Sequence, residues 1–334
     1  HVRRAEQLIE FAEVEHPVTK CMGRAGVLER GEVVGRLMTV HPQIAEVLAA
    51  LPAPPQGPPD PAFLREVEAH GLPALDDRLP LAEVVDITAH TEGGEVPVRL
   101  YTPGEADEYG VIVYFHGGAF FLGSLETHDH IARALAAASG FRVVSVGYRL
   151  APESAFPAGL EDCYGVVRWV AQNRERLGWN GRQLVLAGDS SGATFVAAVT
   201  GMALDDGFEG ISHQVLLYPS LDLDFDVERY ASLRDNAVGY GLETAGLQPF
   251  NSFYLTSGAD PADPRVSPMK RSDLSGLPKA LVITAEYDPL RDEGELYGKR
   301  LAEAGVPVAV HRYAGATHGF VQHFSWIPEY AAVF

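Results

Sequence analysis

The sequence predicts an α/β fold with an eight-stranded, mostly parallel sheet that carries helices on both faces. Short, continuously apolar runs recur from about residue 83 onward, and such runs are typical of strands buried on both faces. Helix-compatible segments separate most of them, and this alternation indicates a parallel sheet. The turn TEGGE between the first two runs indicates that the sheet begins with an antiparallel pair.

Each strand corresponds to one of these runs. AEVVDITAH and VPVRLYTP flank the TEGGE turn. The six later strands are GVIVYFH (110–116), FRVVSVGY (141–148), QLVLAG (183–188), HQVLLYP (213–219), KALVITA (279–285) and VAVHRY (308–313). The predicted helices are THDHIARALAAAS after the third strand, GLEDCYGVVRWVAQNRERLG after the fourth, GATFVAAVTGMAL after the fifth and RDEGELYGKRLAEAG after the seventh.

Composition and charge exclude several classes of partner. The chain has 334 residues and a formal net charge of -19, a field that repels nucleic acid and anionic membrane surfaces. No apolar run approaches the ~20 residues that cross a bilayer, and no secretory leader pattern is present. Cys21 and Cys163 have no spacing typical of a metal site or a disulfide framework. We therefore expect a cytoplasmic protein without nucleic-acid or membrane partners.

Two adjacent serines lie in the sequence GDSSG at 188–192, between a predicted strand and a predicted helix. A nucleophile elbow, G-x-S-x-G, needs small residues two positions before and two after the nucleophile, because strand and helix backbones nearly touch there. Centred on Ser190, those neighbours are Gly188 and Gly192. Centred on Ser191, they are Asp189 and Ala193. The frame therefore predicts Ser190 as a nucleophile, with the backbone N–H of Ser191 facing the oxyanion.

A serine nucleophile needs a base and an orienting acid, which follow it along the chain at the carboxyl ends of later strands. Asp288 lies just past the seventh predicted strand, and His318 just past the eighth. They are the predicted acid and base. Glu286 ranks second as the acid, and Asp292 and Glu293 are further rivals on the helix that follows.

A glycine-containing loop, HGGAFFLGS, follows the third predicted strand. Glycines allow backbone N–H groups to turn toward one point, as an oxyanion site requires. A plain strand-to-helix turn is the alternative that Gly117 and Gly118 alone do not exclude.

These motifs resemble those of the hormone-sensitive-lipase family of α/β-hydrolases, in the branch of bacterial carboxylesterases. The resemblance extends from roughly residue 38 to residue 325. The residues HGGA at 116–119 replace the H-G-G-G of the family, and GDSSG replaces G-D-S-A-G. The other matching stretches are YRLAPE (148–153), DPRVSPM (263–269), DLSGLP (273–278), YDPLRDEG (287–294) and HGF (318–320).

The resemblance implies an α/β-hydrolase fold with a helical cap, and it gives Ser190, Asp288 and His318 the roles of nucleophile, acid and base. It implies that His116 holds the loop and is not the base. It also implies an oxyanion hole built from Gly117, Gly118, Ala119 and Ser191.

The chain departs from the family pattern at Ala119, where a third glycine is usual. If the backbone there has φ > 0, alanine costs on the order of 1 kcal/mol, and its methyl group narrows the alcohol side of the pocket. Ser191 stands in place of alanine, but its backbone N–H is retained.

These observations predict a carboxylic ester hydrolase that acts through an acyl-enzyme and needs no metal or organic cofactor. The resemblance implies small-molecule esters with short-to-medium acyl groups as substrates, and a homodimer. Two alternatives stay open: an acyltransferase or amidase with the same triad, and a non-catalytic protein of this fold that binds a small ligand.

The chain divides into four segments around the sheet. Residues 83–221 and 263–334 are expected to form one catalytic domain, and residues 222–262 an insertion, because this gap between strands is too long for a plain connection. Residues 1–82 include the proline-rich LPAPPQGPPDPA. We expect them to pack with the insertion into a cap over the carboxyl ends of the strands. Much of 1–37 is expected to be either an addition to the native protein or an unusual extension of it.

Two signals are interpreted as structural. LDLDFDV resembles the start of a calcium loop, but Val227 and Leu233 occupy the positions where such a loop needs Gly and Glu, so we expect an exposed strand end around Asp222. His128 and His130 have no partner at metal-ligand spacing, so we expect a solvated helix start.

Overall fold

The structure is a computed structural model that describes residues 40–51, 59–70 and 78–334. The expectation about residues 1–37 lies outside the described residues.

One eight-stranded sheet forms the centre of the molecule, as the sequence predicts. Its strands are β1 Glu83–Thr91, β2 Gly94–Thr102, β3 Tyr109–Phe115, β4 Arg142–Val146, β5 Trp179–Asp189, β6 His213–Leu217, β7 Lys279–Tyr287 and β8 Val308–Thr317. Their order across the sheet is β1-β2-β4-β3-β5-β6-β7-β8. β2 pairs antiparallel with β1 and β4, and all other neighbouring pairs are parallel.

Helices pack on both faces of the sheet. The α-helices of the described residues are α1 Pro42–Ala50, α2 Pro61–His70, α3 Asp129–Ser139, α4 Ala158–Gln172, α5 Ser191–Asp205, α6 Ala231–Asp235, α7 Thr244–Ser252, α8 Arg291–Glu303, α9 Phe320–His323 and α10 Pro328–Ala331. Of these, α3 contributes to the core on one face of the sheet, and α4, α5 and α8 to the core on the other. The side chains of β3 alternate between two buried cores. Val111 and Val113 join the core that contains α4 and α5 residues, and Ile112 and Tyr114 join the core that contains α3 and α10 residues. Burial on both faces explains why β3 is continuously apolar.

The carboxyl ends of β5, β7 and β8 bring the three predicted catalytic residues to one edge of the sheet. β5 ends at Asp189, β7 at Tyr287 and β8 at Thr317. Ser190, Asp288 and His318 are therefore the first residues past parallel strands, where backbone N–H and C=O groups leave the ladder and side chains are free to converge.

The segments predicted to form a cap contact each other and the loops at this edge. A Cβ atom added at Gly241 of the insertion would lie 3.4 Å from Leu48 Cδ2 of α1. Leu64 of α2 packs against the same core as Phe250 and Phe253 of the insertion. Arg65 of α2 also donates from Nε to the carbonyl of Phe121 over 2.7 Å.

Two minor expectations are wrong. Asp222 is fully buried and lies outside any strand, because Lys270, Arg229 and the Tyr230 hydroxyl group surround its carboxylate. His128 is fully buried rather than solvated, and its Nε2 lies 3.6 Å from an Asp189 oxygen. Lys270 and Asp189, one partner in each case, lie far along the chain, and local sequence patterns do not reveal such contacts.

Candidate active site

The turn between β5 and α5 is as tight as the glycine frame predicts. Ser190 has φ 52° and ψ −119°, a strained conformation for a residue with a side chain. A Cβ atom at Gly188 would lie 2.5 Å from the carbonyl oxygen of Gly192, and one at Gly192 would overlap the carbonyl oxygen of Phe115. Glycine is therefore required at both positions, and it is the frame around Ser190 that meets this requirement.

The three predicted catalytic side chains form one hydrogen-bonded series. Nε2 of His318 lies 2.9 Å from Oγ of Ser190, and Nδ1 lies 2.8 Å from Oδ2 of Asp288. The other carboxylate oxygen of Asp288, Oδ1, accepts the backbone N–H of Leu290 over 2.8 Å. Asp288 is buried, with 1% of its surface exposed, so its carboxylate is held at both oxygens and oriented toward the imidazole.

The rival acids have other partners. Glu286 accepts the backbone N–H of Gly315, Asp292 accepts that of Ser232, and Glu293 accepts that of Leu221. Of the four candidates, Asp288 is the one with a hydrogen bond to His318.

The loop after β3 faces the elbow with backbone N–H groups. Gly118 has φ 120° and Ala119 has φ 49°. The backbone at Ala119 is therefore left-handed, which is the condition under which alanine was expected to cost stability. In the described part of the chain, the N–H groups of Gly118, Ala119 and Ser191 donate to no protein acceptor. The N–H of Gly117 differs, because it donates to Oδ1 of Asp189 over 2.9 Å. This bond removes Gly117 from the predicted set of oxyanion donors.

Asp189 is a buried carboxylate beneath this loop that the sequence analysis did not single out. Its Oδ1 accepts both the Gly117 N–H and the Tyr114 hydroxyl group, the latter over 2.5 Å. Burial alone would raise the pKa of Asp189, but the adjacent His128 ring and the Tyr114 hydroxyl group outweigh it and hold the pKa below its usual value. The charged form therefore ties the oxyanion loop to the elbow. Its position inside the elbow motif, between Gly188 and Ser190, is the sequence feature that could have indicated this role.

His116 begins the loop, and its ring makes contacts with Tyr148 and Gly117 rather than a hydrogen bond with Ser190. Its ring stacks on Tyr148 with centroids 4.2 Å apart, and its Nδ1 lies 2.8 Å from the carbonyl oxygen of Gly117. Burial and the nearby His128 lower the pKa of His116 to about 3. A neutral, stacked imidazole supports the loop, as the resemblance implies.

The described residues contain no group of three or more His, Cys, Asp or Glu side chains that could hold a metal ion. Among them there is also no helix long and apolar enough to cross a membrane.

Comparison with known proteins identifies the family. The model of a family with the α/β-hydrolase fold matches residues 112–322, a range that contains the elbow, the oxyanion loop, Asp288 and His318. An arylesterase of Saccharolobus solfataricus is 38% identical over 243 residues, which cover 72% of this chain and 78% of that protein. The chain belongs to the hormone-sensitive-lipase-like group of α/β-hydrolases.

Two further esterases are similar to this chain over most of its length. The carboxylesterase NlhH of Mycobacterium tuberculosis is 38% identical over 259 residues, which cover 76% of this chain and 80% of that protein. A solved structure of an esterase from Pyrobaculum calidifontis is 40% identical, with a TM-score of 0.79, and the match covers 88% of this chain and 95% of that one. These similarities extend over the whole catalytic architecture rather than a single motif.

Proposed function

We propose that this α/β-hydrolase hydrolyses carboxylic esters through an acyl-enzyme formed on Ser190. The observation that carries the proposal is the series from Ser190 Oγ through His318 to Asp288, next to three backbone N–H groups that have no acceptor among the described residues. The esterase names of relatives at 38% identity support the reaction class.

In the proposed mechanism, Oγ of Ser190 attacks the ester carbonyl while Nε2 of His318 takes its proton. Asp288 holds the imidazole through Nδ1 and stabilises the imidazolium. The N–H groups of Gly118, Ala119 and Ser191 stabilise the tetrahedral oxyanion. His318 then protonates the leaving alcohol, and water repeats the sequence to release the acid and free Ser190.

The finer features of the proposal rest on the family resemblance for the substrate range and the homodimer, and on the sequence patterns for the cap and the location. We propose short-to-medium acyl esters as substrates, a cap made from residues 222–262 and part of 1–82, a homodimer and a cytoplasmic location. Light scattering on the purified protein tests the homodimer. A panel of 4-nitrophenyl esters of increasing acyl length tests the substrate range.

The two adjacent serines test the mechanism directly. Ser190→Ala should lower kcat by a factor on the order of 10⁴ or more with folding intact, because members of a triad act as a unit. Ser191→Ala keeps the backbone N–H and should leave kcat within about tenfold of the parent. A phosphonate ester should label the parent and the Ser191 variant but not the Ser190 variant. Mass spectrometry that placed the label on Ser191, or full activity in Ser190→Ala, would overturn the proposal.

A further inference from the structure

We propose that the insertion between β6 and β7 holds the acid of the triad in place, with Asn236 and Ser232 as positioning residues for Asp288. This inference rests on the proposed function, in which Asp288 orients His318.

Asp288 needs support from outside the sheet. β7 ends at Tyr287, and the pairing of β7 with β8 is irregular between Ala285 and Tyr287. The segment 288–290 therefore lies past the ladder, and within its own chain segment it is held by the first turn of α8, where the Arg291 N–H donates to the Asp288 carbonyl over 3.2 Å. The Oδ2 of Asp288 must nevertheless remain within hydrogen-bond distance of His318.

Asn236 supplies one such support. It is buried, with 4% of its surface exposed. Its Nδ2 donates to the carbonyl oxygen of Asp288 over 3.0 Å and lies 3.3 Å from that of Glu286. One amide group thus holds two carbonyl groups that flank the end of β7. Each carbonyl also accepts a hydrogen bond from Arg291, the Asp288 carbonyl from its backbone N–H over 3.2 Å and the Glu286 carbonyl from its guanidinium Nη1 over 3.1 Å. Loss of the Asn236 donor would therefore remove the bond that comes from the insertion and leave each carbonyl with its bond to α8.

Ser232 supplies a second support, four residues earlier. It is fully buried, and its hydroxyl group donates to the carbonyl of Pro289 over 2.7 Å while accepting the N–H of Asp292 over 3.1 Å. Its own N–H donates to Oδ2 of Asp292 over 2.8 Å. Ser232 therefore joins α6 of the insertion to both sides of the turn that leads from Asp288 into α8.

Apolar packing completes the connection. Leu290, whose N–H donates to Oδ1 of Asp288, is buried in a small cluster with Tyr230, Leu233 and Leu247 of the insertion. The insertion thus contacts the carbonyl group of Asp288, the carbonyl group of Pro289 and the side chain of Leu290, the residue whose N–H orients the carboxylate. These contacts are made to the segment that carries Asp288, so we expect their effect to act on kcat through Asp288 rather than on KM.

Asn236→Asp tests the proposal with almost no change in volume, because it replaces the amide donor with a carboxylate oxygen that repels the two carbonyls. We expect kcat to fall by about 10- to 100-fold, the effect of a displacement near 1 Å, and KM to change by less than about threefold. Asn251→Asp is the matched control. Asn251 is a buried amide of the same insertion that bonds to Leu247 within α7, and its substitution should leave kcat within about threefold.

A double-mutant cycle with Asp288→Asn separates positioning from general stability. If Asn236 acts through Asp288, Asn236→Asp should change kcat by less than about twofold once Asp288 is replaced. An equal loss of kcat in both backgrounds, or no loss in the parent background, would overturn the proposal.

Ser232 provides an independent test should Asn236→Asp fail to fold. Ser232→Ala should lower kcat, and Ser232→Thr, which keeps the hydroxyl group, should restore it; parental kcat in Ser232→Ala would contradict the positioning role. Failure of the proposed function has a different signature. In that case Asp288→Asn alone would keep parental activity, whereas failure of the positioning proposal leaves Asp288→Asn inactive and Asn236→Asp active.

Discussion

At the scale of single residues, left-handed backbone is concentrated around the reacting atoms. Gly118, Ala119, Phe120 and Ser190 all have positive φ, and three of them have a side chain. Such conformations persist only where the surroundings hold them. In the proposed mechanism these positions supply Oγ of Ser190 and the oxyanion donors Gly118 and Ala119, while the N–H of Phe120 donates to the hydroxyl group of Ser191 over 3.3 Å. The proposal therefore gives the strain a catalytic explanation.

Ala119 tests that explanation. Its φ of 49° is unfavourable for alanine by about 1–2 kcal/mol, whereas glycine adopts it freely but loses more entropy on folding. Ala119→Gly should therefore change the free energy of unfolding by less than about 1 kcal/mol. Ala134→Gly, inside α3, should lower it by about 1 kcal/mol. Urea unfolding measures both variants, and a clear destabilisation by Ala119→Gly would contradict the strain argument.

The same variant should widen the alcohol side of the pocket. We expect Ala119→Gly to raise kcat/KM for bulky-alcohol esters relative to ethyl esters by about tenfold or less, because one methyl group contributes about 1–2 kcal/mol in such a pocket. An unchanged ratio across the esters would remove the steric explanation.

At the scale of elements, sequence patterns predict the strands of the sheet well and the side-chain contacts between distant segments poorly. All eight strands fall on the predicted runs. A central strand such as β3 is buried on both faces and has to be continuously hydrophobic, whereas the edge strands β1 and β8 are partly exposed. The elbow is predictable because two backbones approach too closely for a Cβ atom at Gly188 and Gly192. The roles of Asp189 and Asn236 were not predictable, since their partners lie 72 and 52 positions away along the chain.

Glu293 connects two elements and gives a pH-dependent prediction. It lies in the first turn of α8 and accepts the N–H of Leu221, beyond the end of β6. Burial raises the pKa of Glu293 well above its usual value. The Leu221 N–H opposes this shift, and the carboxylates of Asp222 and Asp288 add to it. The folded protein therefore favours the neutral carboxyl group.

A raised folded-state pKa contributes stability fully below the unfolded pKa of about 4.3, and that contribution is lost as pH rises toward the folded pKa. Glu293→Gln keeps an acceptor for Leu221 and does not titrate. The free energy of unfolding of the variant, minus that of the parent, should therefore increase from pH 5 to pH 8 by up to about 1.4 kcal/mol per pH unit. Urea unfolding across this range measures it. Glu303→Gln, at the exposed end of the same helix, is the control, and a constant difference for Glu293→Gln would contradict the assignment.

At the scale of the whole molecule, charge is the dominant property. The chain has 45 acidic and 26 basic side chains and a net charge of -19. Within roughly a Debye length of the surface, such a negative field lowers the local concentration of anions and raises that of cations. Near the candidate site it is reinforced by the carboxylates of Asp189 and Asp288, which are buried in the structure. Esters that carry a negative charge should therefore reach Ser190 less readily than neutral esters of the same size.

Salt provides the measurement. Raising the ionic strength from about 0.01 M to about 0.1 M shortens the Debye length from about 30 Å to about 10 Å and screens the repulsion of an anionic substrate. We expect kcat/KM for the 4-nitrophenyl monoester of succinic acid to rise several-fold over this range. The value for 4-nitrophenyl butyrate, which is neutral and similar in size, should stay nearly constant and controls for effects of salt on the enzyme itself. A fall in kcat/KM for the anionic ester would instead indicate a local basic group at the mouth of the site that outweighs the net charge, because attraction, unlike repulsion, is weakened by screening.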